Sequence, residues 1–502
     1  MVERKDAEEI VARLKQHIGC EYRKGNNENV LDLVSVTASF LYSTNLYYAD
    51  YDLENYIALT ASRLNLSANI PSDAKFIDDC VLFYDGFGLN LRGLVQIYLK
   101  ALCRIKKVLY VTYSCRRREI PDVLNILQEH NGKSFFLSGK THTENIKQLN
   151  KIIQQERPKH FFFYAYPDDV TATAVMNAYN GFMKRYQINL TDHAFWLGAK
   201  PIDVCIDFRS YGANISHEYR KIPKNKIVIV PYYPIINYST EFQGYPFDVS
   251  AGKRVVFSGG SLYKTLGRGN KYYKIVDYIL SKYPDVIFWY AGSGNRGEMD
   301  KIISKHKGRA YLTPERSDLY QVIRHCYFYL STYPVCGGLM YQYAAKAGKV
   351  PLTLYDDEMS DGILLNQSEL GIMFRNIEDV FDEIDKLMNN EGYCNSKGEI
   401  LEATVISEED FNNEVILLFT DKAGKNYPVH YAEHTDTSSF RQIYLDNLTL
   451  KKLKNILMNK INIRNMMFFK YEPVIFLEAF MRKTAGIMRR VLGRLLRIMK
   501  LR

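Results

Sequence analysis

From residue 76 onward the chain alternates between short apolar runs and longer stretches in which apolar residues recur at helical spacing. The runs are rich in Val, Ile, Phe and Tyr, which is typical of strands buried on both faces of a parallel sheet. A first series comprises CVLFYD (80–85), VLYVTY (108–113), SFFLS (134–138), HFFFYAY (160–166), VCIDF (204–208) and KIVIVP (226–231), with helices predicted near 89–103, 119–130, 141–156 and 170–184. This series predicts one α/β unit.

A second series follows an irregular segment, 232–253, that is rich in Pro, Gly and Tyr and is typical of a linker. It comprises VVFSG (255–259), VIFWYAG (286–292), RAYL (309–312), YFYLST (327–332), VPLTLY (350–355) and GIMF (371–374), with helices predicted near 270–282, 297–307, 317–325, 339–347 and 376–389 and a short one after residue 355. Strands and helices in this alternation predict a second, doubly wound sheet.

These patterns predict four parts of the chain. They are a helical N-terminal segment (1–70), a first Rossmann-like domain (71–235), a second Rossmann-like domain (250–395) and a C-terminal extension (396–502). We therefore expect an α/β protein with two facing Rossmann-like domains. Ligands of such a protein bind in the cleft at the carboxyl ends of the strands.

Composition limits the partners and the cellular compartment that we expect for the chain. Its 502 residues carry a formal net charge of +10, which favours an anionic partner. The eight cysteines are scattered without a CxxC pair, which predicts reduced thiols in a cytoplasmic protein and neither a zinc site nor a disulfide framework. The charged N-terminus is unlike a signal peptide, and no apolar stretch reaches the roughly 18 residues that a spanning helix needs.

Glycines and basic residues follow the first strand of the second domain, in SGGSLYKTLGRGN (258–270). The backbone N–H groups of Gly259 and Gly260 can approach an anion closely, and Lys264 and Arg268 can neutralise a diphosphate. Neither the P-loop spacing nor GxGxxG occurs, which disfavours a P-loop ATPase or a NAD enzyme. The alternative is a surface loop with solvated charges.

The segment STYPVCGGLMYQYAAKAGKVPLTLYD (331–356) predicts a second anion-binding element. Two glycines open a short helix, whose first N–H groups and dipole would point at phosphate. These groups belong to Gly337, Gly338, Leu339 and Met340. The backbone at Thr313, after the third strand, would face a nucleotide base. The alternatives are a plain strand–helix crossover and an ordinary loop.

The layout G-G-L-x-x-x-x-A-x-x-A-G-x-V-P in this segment resembles the donor-site helix of GT-B glycosyltransferases, such as those of bacterial capsule and lipopolysaccharide synthesis. The resemblance extends over residues 80–390 and implies a nucleotide-sugar donor, with a helix carboxylate on the donor ribose. Tyr343 stands at the matching position, beside Gln342. An amide, a phenol or a carboxylate from elsewhere would therefore bind the ribose, and inversion or retention at the sugar stays open.

The first domain has a glycine-rich turn after its first strand, DGFGLNLRGL (85–94), which resembles the acceptor-side loop of the same enzymes. Its candidate acceptor-binding residues are Gly86, Gly88, Asn90 and Arg92. A tight turn that requires small residues is the alternative.

His193 is the candidate catalytic residue of the first domain. It stands beside Asp192, and a neutral imidazole next to a carboxylate can act as the general base for a sugar hydroxyl. Trp196, close by, could stack on the acceptor sugar. No DxD motif occurs in a suitable context, so we expect a metal-independent enzyme without a cofactor. The alternative is a structural histidine.

The C-terminal stretch EAFMRKTAGIMRRVLGRLLRIMKLR (478–502) predicts a basic amphipathic helix. One face is apolar, and the other carries basic residues that include Arg482, Arg489, Arg490, Arg494 and Arg497. Such a helix lies in the plane of an anionic membrane surface. The alternatives are a helix packed on the protein or on a partner, and a nucleic-acid-binding arm.

Together these features predict a glycosyltransferase that moves a sugar from a nucleotide-sugar to a lipid-linked or polysaccharide acceptor in cell-surface glycan synthesis. We expect a cytoplasmic protein, peripheral on the inner face of the cell membrane, and no nucleic acid partner because no recognition motif occurs. The alternatives are a polyol-phosphate polymerase of the teichoic-acid type and a non-catalytic, glycosyltransferase-like partner subunit.

Overall fold

The structure, a computed structural model, describes residues 4–67, 70, 75–90, 93–164, 166–356, 364, 370–438, 441, 444–445, 448–463 and 465–499, with the backbone alone at 450, 487 and 490–499. Its contacts divide the chain into two compact units. The first comprises Met1–Ile206, Ile215–Ile227 and Arg441–Arg502, and the second comprises Asp207–Asn214 and Val228–Phe440. The domain boundaries expected from the sequence stay a prediction.

The first unit begins with the expected helical segment and continues into a seven-stranded sheet. The helices are α1 (Arg4–Arg23), α2 (Asn27–Thr44) and α3 (Tyr51–Arg63). The strands are β1 (Ile77–Asp85), β2 (Lys107–Tyr113), β3 (Lys133–Leu137), β4 (Pro158–Tyr164), β5 (Lys184–Ile188), β6 (Val204–Asp207) and β7 (Ile227–Ile229). The helices between them are α4 (Leu94–Cys103), α5 (Pro121–Glu129), α6 (His142–Glu156), α7 (Val170–Ala178) and α8 (Ser210–Glu218).

The strand order of this sheet is β3-β2-β1-β4-β5-β6-β7, and neighbours run parallel from β3 to β6. The chain moves from β1 outward to β3 and then returns to β4 on the other side of β1. The topological switch point therefore lies between β1 and β4, and the loops after these two strands leave in opposite directions.

One strand of this sheet was missed by the sequence pattern, which extended a helix to residue 184. Helix α7 ends at Ala178, and KRYQI then forms β5. The sequence of β5 does not indicate a buried strand, because it contains polar residues. Two of these, Arg185 and Gln187, are almost fully buried. The guanidinium of Arg185 donates to both carboxylate oxygens of Asp203 over 2.8 Å, which compensates the cost of burying the charge.

Helix α3 is fixed to the first unit by a buried carboxylate. Glu54 accepts hydrogen bonds from the backbone N–H groups of Gly198, Ala199 and Lys200 over 3.1, 3.0 and 2.7 Å. Burial raises the pKa of Glu54 to about 7, although these three hydrogen bonds act in the opposite direction.

The second unit contains a six-stranded parallel sheet in the order β10-β9-β8-β11-β12-β13. Its strands are β8 (Arg254–Gly259), β9 (Val286–Ala291), β10 (Ala310–Thr313), β11 (Phe328–Leu330), β12 (Pro351–Leu354) and β13 (Met373–Phe374). Its helices are α9 (Lys271–Lys282), α10 (Gly297–Lys305), α11 (Leu319–Arg324), α12 (Gly338–Lys346), α13 (Ile377–Asn389), α14 (Glu391–Glu402) and α15 (Glu408–Leu417). The switch point lies between β8 and β11. Between 356 and 370, where a short helix is expected, only residue 364 belongs to the described residues.

The C-terminal residues return to the first unit and pack on its N-terminal helices. They form α16 (Leu450–Lys460), α17 (Met467–Tyr471) and α18 (Pro473–Met499). Tyr471 donates to the buried Glu21 over 2.6 Å, and Arg13 pairs with Glu472 over 2.6 Å. Burial alone would raise the pKa of Glu21, but hydrogen bonds from Lys24, Tyr471 and two asparagines lower it to about 2. Among the described residues, no helix combines the length and the apolarity needed to cross a bilayer.

The predicted fold class, α/β with two Rossmann-like parallel sheets, is confirmed by these two sheets. Each sheet is doubly wound, with strands that leave the switch point in both directions. Ligands of such sheets bind beyond the carboxyl ends of the strands that flank the switch point.

We expect Glu54→Gln to remove a pH dependence of stability. An unfolded chain loses the glutamate proton near pH 4.3, whereas burial keeps it in the folded protein up to a pKa of about 7. The stabilisation is therefore complete below the unfolded pKa and lost as pH rises through the folded one. Between pH 5 and 7.5 the free energy of unfolding of the wild type should fall by about 2 kcal/mol relative to the variant.

Denaturant unfolding at pH 5, 6 and 7.5 measures this difference. Glu9→Gln, an exposed glutamate of α1, is the matched control and should follow the wild type. Parallel pH profiles of wild type and Glu54→Gln would show that Glu54 titrates alike in the folded and unfolded chains.

Candidate functional site

The loops that follow β8 and β11 meet at the switch point of the second unit. The backbone N–H of Val335 donates to the carbonyl of Lys264 over 3.2 Å, which joins the two loops. A Cβ atom built on Gly337 would lie 3.7 Å from Lys264 Nζ, so the ammonium group stands beside that glycine. One built on Gly259 would lie 3.2 Å from Met340 Cε. The fold thus brings together candidate residues from both predicted anion-binding segments.

Helix α12 begins at this meeting point, and Gly337 at its N-cap position has no side chain that could cap the first turn. The first amides of a helix have no acceptor within the helix. Those of Gly338, Leu339 and Met340 belong to partly exposed residues. Uncapped N–H groups and the helix dipole together favour an anion at this position.

The loops after β8 and β9 approach so closely that residue 292 has to be glycine. A Cβ atom on Gly292 would lie 1.9 Å from the carbonyl oxygen of Gly260. The N–H of Gly260 donates to the carbonyl of Ala291, and that of Gly292 donates to the carbonyl of Thr313, each over 2.9 Å. The Gly260 amide, which the sequence suggested for anion binding, is therefore already used within the fold.

The side chain of Thr313 forms two hydrogen bonds at the same edge of the sheet. Its hydroxyl accepts a hydrogen bond from Trp289 Nε1 over 2.9 Å and donates to the carbonyl of Pro314 over 3.2 Å. The suggested contact of this backbone with a nucleotide base stays a prediction.

Arg268, the second basic residue of the loop after β8, has an acidic partner. Its guanidinium pairs with Asp356 over 3.0 Å, and Tyr333 donates its hydroxyl to the same carboxylate over 3.0 Å. Both side chains of the ion pair are more than two-thirds buried. Because Asp356 balances its charge, a diphosphate at Arg268 would have to compete with that carboxylate.

Arg209 is a buried basic residue in the short segment between β6 and α8. It belongs to Asp207–Asn214, which packs with the second unit, and is 7% exposed. The neighbouring Phe208 ring meets the Tyr232 ring at 5.0 Å. Gln342 of α12 donates its amide to the Tyr232 carbonyl over 2.7 Å. This chain of contacts places Arg209 near α12.

The thiol of Cys336, next to the N-cap of α12, is close to two of these cations. Burial raises its pKa, while a hydrogen bond with Ser331 and the positive charges of Lys264 and Arg209 act to lower it. Both cations therefore lie within electrostatic reach of the helix start, and no local motif around Arg209 indicates this.

The two residues suggested for the donor ribose hold the inter-domain segment in place. Gln342 donates to the carbonyl of Tyr232, and the hydroxyl of Tyr343 donates to the carbonyl of Ile235 over 2.6 Å. A role of either side chain in ribose binding stays a prediction, and it would require these contacts to be exchanged.

In the first unit, the glycine-rich turn after β1 is organised by Asp85. This buried carboxylate accepts from the N–H groups of Phe87 and Gly88 over 3.0 and 2.9 Å and from the hydroxyl of Tyr110 over 2.6 Å. Burial raises the pKa of Asp85 to about 6. Gly86 donates its N–H to the carbonyl of Tyr164 across the switch point.

The other candidates of this turn have different surroundings. A Cβ on Gly88 would lie 2.6 Å from Arg116 Cβ, and its φ of +56° favours glycine, so the small residue is required by packing. The Asn90 side chain accepts from the N–H of Asp122 over 3.2 Å. Arg92 lies outside the described residues. Acceptor binding by this turn stays a prediction.

His193 lies in the loop after β5 and has the geometry of a histidine–carboxylate pair. Its Nδ1 is 3.1 Å from Asp192 Oδ1, the imidazole is one-third exposed and the carboxylate is buried. Arg220, fully buried, donates to the carbonyls of Thr191, Asp192 and Ala194 and so fixes this loop. The ring is therefore held with one nitrogen against an acid and its surface partly open to solvent.

Trp196 is part of the core. Its side chain is 2% exposed, and the Arg220 guanidinium lies 4.8 Å from the ring centroid. In this structure the indole offers no open face to an acceptor sugar.

The arginines suggested for the membrane lie on helix α18. Arg482 and Arg489 are exposed. The side chains of Arg490, Arg494 and Arg497 lie outside the described residues, although the helical backbone reaches Met499.

Within the described part of the chain, one group of side chains is close enough to hold a metal ion: Glu28, Asp32 and His142. Glu28 already accepts the backbone N–H groups of His142 and Thr143 over 2.8 Å, and Asp32 accepts from Asn465 over 2.6 Å. The cluster therefore serves to join helices of the first unit.

No sequence profile of a known family matches the chain, and neither does any curated protein. HepE of Anabaena in complex with UDP-glucose has a similar structure, with a TM-score of 0.50 at 13% identity over 68% of this chain and 98% of HepE. An O-GlcNAc transferase mutant of Thermobaculum terrenum gives a TM-score of 0.48 at 13% identity, over 91% of this chain and 86% of its own. A UDP-GlcNAc 2-epimerase of Neisseria meningitidis bound to UDP-GlcNAc gives 0.45 at 12% identity, over 68% and 100%.

At such identity the likeness to HepE shows the fold alone. Together with the two doubly wound parallel sheets, it confirms the predicted GT-B class of fold.

We expect Gly292→Ala to destabilise the second unit by about 1–3 kcal/mol or more, because the added methyl group meets the Gly260 carbonyl. The matched control is Gly297→Ala in the first turn of α10, where the nearest atom would be 3.5 Å away. The chain has two tryptophans, one in each unit, so in a Trp196→Phe background the fluorescence of Trp289 follows the second unit. Equal unfolding midpoints for both alanine variants would contradict the close approach.

Proposed function

We propose that the chain is a glycosyltransferase that uses a nucleotide-sugar donor and binds the donor diphosphate at the start of α12. The observation that carries the proposal is the uncapped N-terminus of α12 with Lys264 Nζ beside Gly337, at the switch point of a doubly wound sheet. Backbone amides, a helix dipole and a lysine together suit a diphosphate. Arg209 is the proposed second cation.

The same groups suit the chemistry of transfer. Sugar transfer breaks the bond between the anomeric carbon and the diphosphate oxygen, so negative charge grows on the leaving group. Preorganised amides and cations stabilise that charge without reorganisation. We assign this role to Lys264 and the first amides of α12.

The acceptor hydroxyl has to lose a proton as it attacks. We assign this proton to His193 Nε2, since Nδ1 is next to the carboxylate of Asp192. The carboxylate would hold the tautomer and stabilise the imidazolium that forms. This assignment corresponds to an inverting transfer that needs no metal.

The proposed acceptor is lipid-linked or a polysaccharide of the cell surface. Support comes from the basic residues of α18, of which Arg482 and Arg489 are exposed. A lipid-linked acceptor stays at the bilayer, so the enzyme would work as a peripheral protein on the anionic inner face of the cell membrane.

A non-catalytic partner subunit is the second candidate. The side chains at the donor-ribose positions, Gln342 and Tyr343, both bond to carbonyls of the inter-domain segment. Side chains engaged in this way are compatible with a site that no longer binds a nucleotide-sugar. Calorimetry with UDP, GDP, CDP and their sugar conjugates separates the two, because a subunit of this kind binds none of them.

We expect Lys264→Ala to weaken binding of the preferred nucleoside diphosphate by about 10–100-fold, because it removes a charge-assisted contact of about 1.5–3 kcal/mol. Arg268→Ala should have a small effect, since Asp356 already balances that charge. Lys301→Ala, an exposed lysine of α10, is the matched control. Titration calorimetry gives the affinities, and unchanged binding by Lys264→Ala would remove this loop from the site.

We expect His193→Ala to lower kcat by about 10²–10⁴-fold, the usual contribution of a general base. Affinity for the nucleotide should stay the same, because His193 has no role in donor binding in this proposal. His130→Ala, an exposed histidine of the first unit, is the control. Turnover of His193→Ala within threefold of the wild type, on the order of RT in free energy, would make the histidine structural.

A further inference from the structure

The last helices of the chain expose large apolar side chains in an unusual concentration. Among the described residues, sixteen large hydrophobic side chains are exposed, and seven of these fall within 466–488. They are between 43% and 63% exposed, and we name them the docking face: Met466, Phe469, Val474, Leu477, Phe480, Met481 and Met488. Single exposed apolar residues are common, but a contiguous group marks an interaction surface.

Helix α18 packs on the first unit through a different face. Val474, Leu477, Met481 and Met488 are three, four and seven residues apart and therefore lie along one side of the helix. Phe476 and Ala479, on the other side, are 3% and 1% exposed. The apolar stripe is thus left outside, and packing on the protein's own core does not account for it.

The helices that carry the docking face contact each other and the rest of the first unit. The Phe476 ring lies 5.8 Å from Phe469 and 6.5 Å from Phe480, so α17 and the start of α18 form one apolar row. Lys483 donates to the carbonyl of Ile461 over 2.5 Å. Through Tyr471 and Glu472 the same helices contact Glu21 and Arg13 of α1. The docking face is therefore attached to the rest of the first unit by these contacts.

The charges beside the stripe indicate its partner. Lys470, Arg482 and Arg489 are exposed, and the sequence has no acidic residue after Glu478. An apolar stripe flanked by cations suits a surface with anionic groups above an apolar layer.

We propose that the docking face inserts into the headgroup layer of an anionic bilayer and seats the first unit on it. The surface begins at Met466, upstream of the basic stretch 478–502, and both α17 and α18 contribute to it. This inference specifies the membrane partner of the proposed function, but it stands on observations separate from the nucleotide site.

Flotation of the full chain with vesicles tests the proposal. The vesicles contain phosphatidylcholine with phosphatidylglycerol, or phosphatidylcholine alone. Leu477→Ser with Met481→Ser should lower partitioning onto the anionic vesicles by about 30-fold or more, through lost apolar burial. Ile400→Ser with Ile416→Ser, two exposed isoleucines of the second unit, is the matched control and should bind as the wild type does.

A charge variant tests the second half of the proposal. Arg482→Gln with Arg489→Gln should weaken binding to anionic vesicles by about 30-fold at low salt, from about 1 kcal/mol per cation. High salt should reduce this difference, and vesicles of phosphatidylcholine alone should not distinguish the variant from the wild type. All variants should keep the melting temperature of the wild type because the substituted side chains are exposed.

Three outcomes would overturn the proposal. The first is equal flotation of wild type and Leu477→Ser/Met481→Ser. The second is a wild type that does not bind anionic vesicles. The third is an oligomer that this variant converts to monomers while vesicle binding is unchanged, which would make a second copy the occupant. Nucleotide binding, measured on the same proteins, is independent: a chain that floats but binds no nucleotide contradicts the proposed function alone.

Discussion

The close approach of two backbone loops at the carboxyl edge of the second sheet is the constraint on which the candidate site depends. The carbonyl oxygen of Gly260 occupies the space that a side chain at residue 292 would need, so the loops after β8 and β9 are in direct contact. The loop after β8 also reaches the loop after β11, where the Lys264 carbonyl accepts from the N–H of Val335 and its ammonium group lies beside Gly337. The position of the ammonium group therefore follows from the course of the backbone. No motif around the lysine is needed to explain it.

Most polar side chains around this site stabilise the fold, which limits the groups that a ligand can recruit. Gln342 and Tyr343 hold carbonyls of the inter-domain segment, and Asp356 balances Arg268. A ligand that displaced one of these partners would leave a buried polar group unpaired, at a cost of about 1–3 kcal/mol. The first amides of α12 differ, because the N-cap residue Gly337 has no side chain to cap them. The structure thus favours recognition of an anion by backbone.

Local patterns predict the order of strands and loops well and the partners of polar residues poorly. The run 160–166 predicts a strand because a strand covered on both faces has to be apolar throughout. Strand β5 does not follow this rule, since the burial of Arg185 depends on Asp203, which directly precedes β6. In the same way nothing near Arg268 in the sequence indicates its ion pair. Its partner Asp356 follows β12, and such pairing exists only in the folded chain.

The proposed donor and the proposed acceptor are found in different phases. The contacts between the first and the last helices of the chain are relevant to this difference. A nucleotide-sugar is dissolved in water, whereas a lipid-linked acceptor presents its reactive group at a fixed height above the bilayer. A flexible tether would keep the enzyme near the membrane without setting its orientation. Here Tyr471 and Glu472 contact Glu21 and Arg13, so the docking face is fixed to α1 and to the unit that carries His193. Membrane binding through such a mount would orient that unit toward the acceptor as well as concentrate it there.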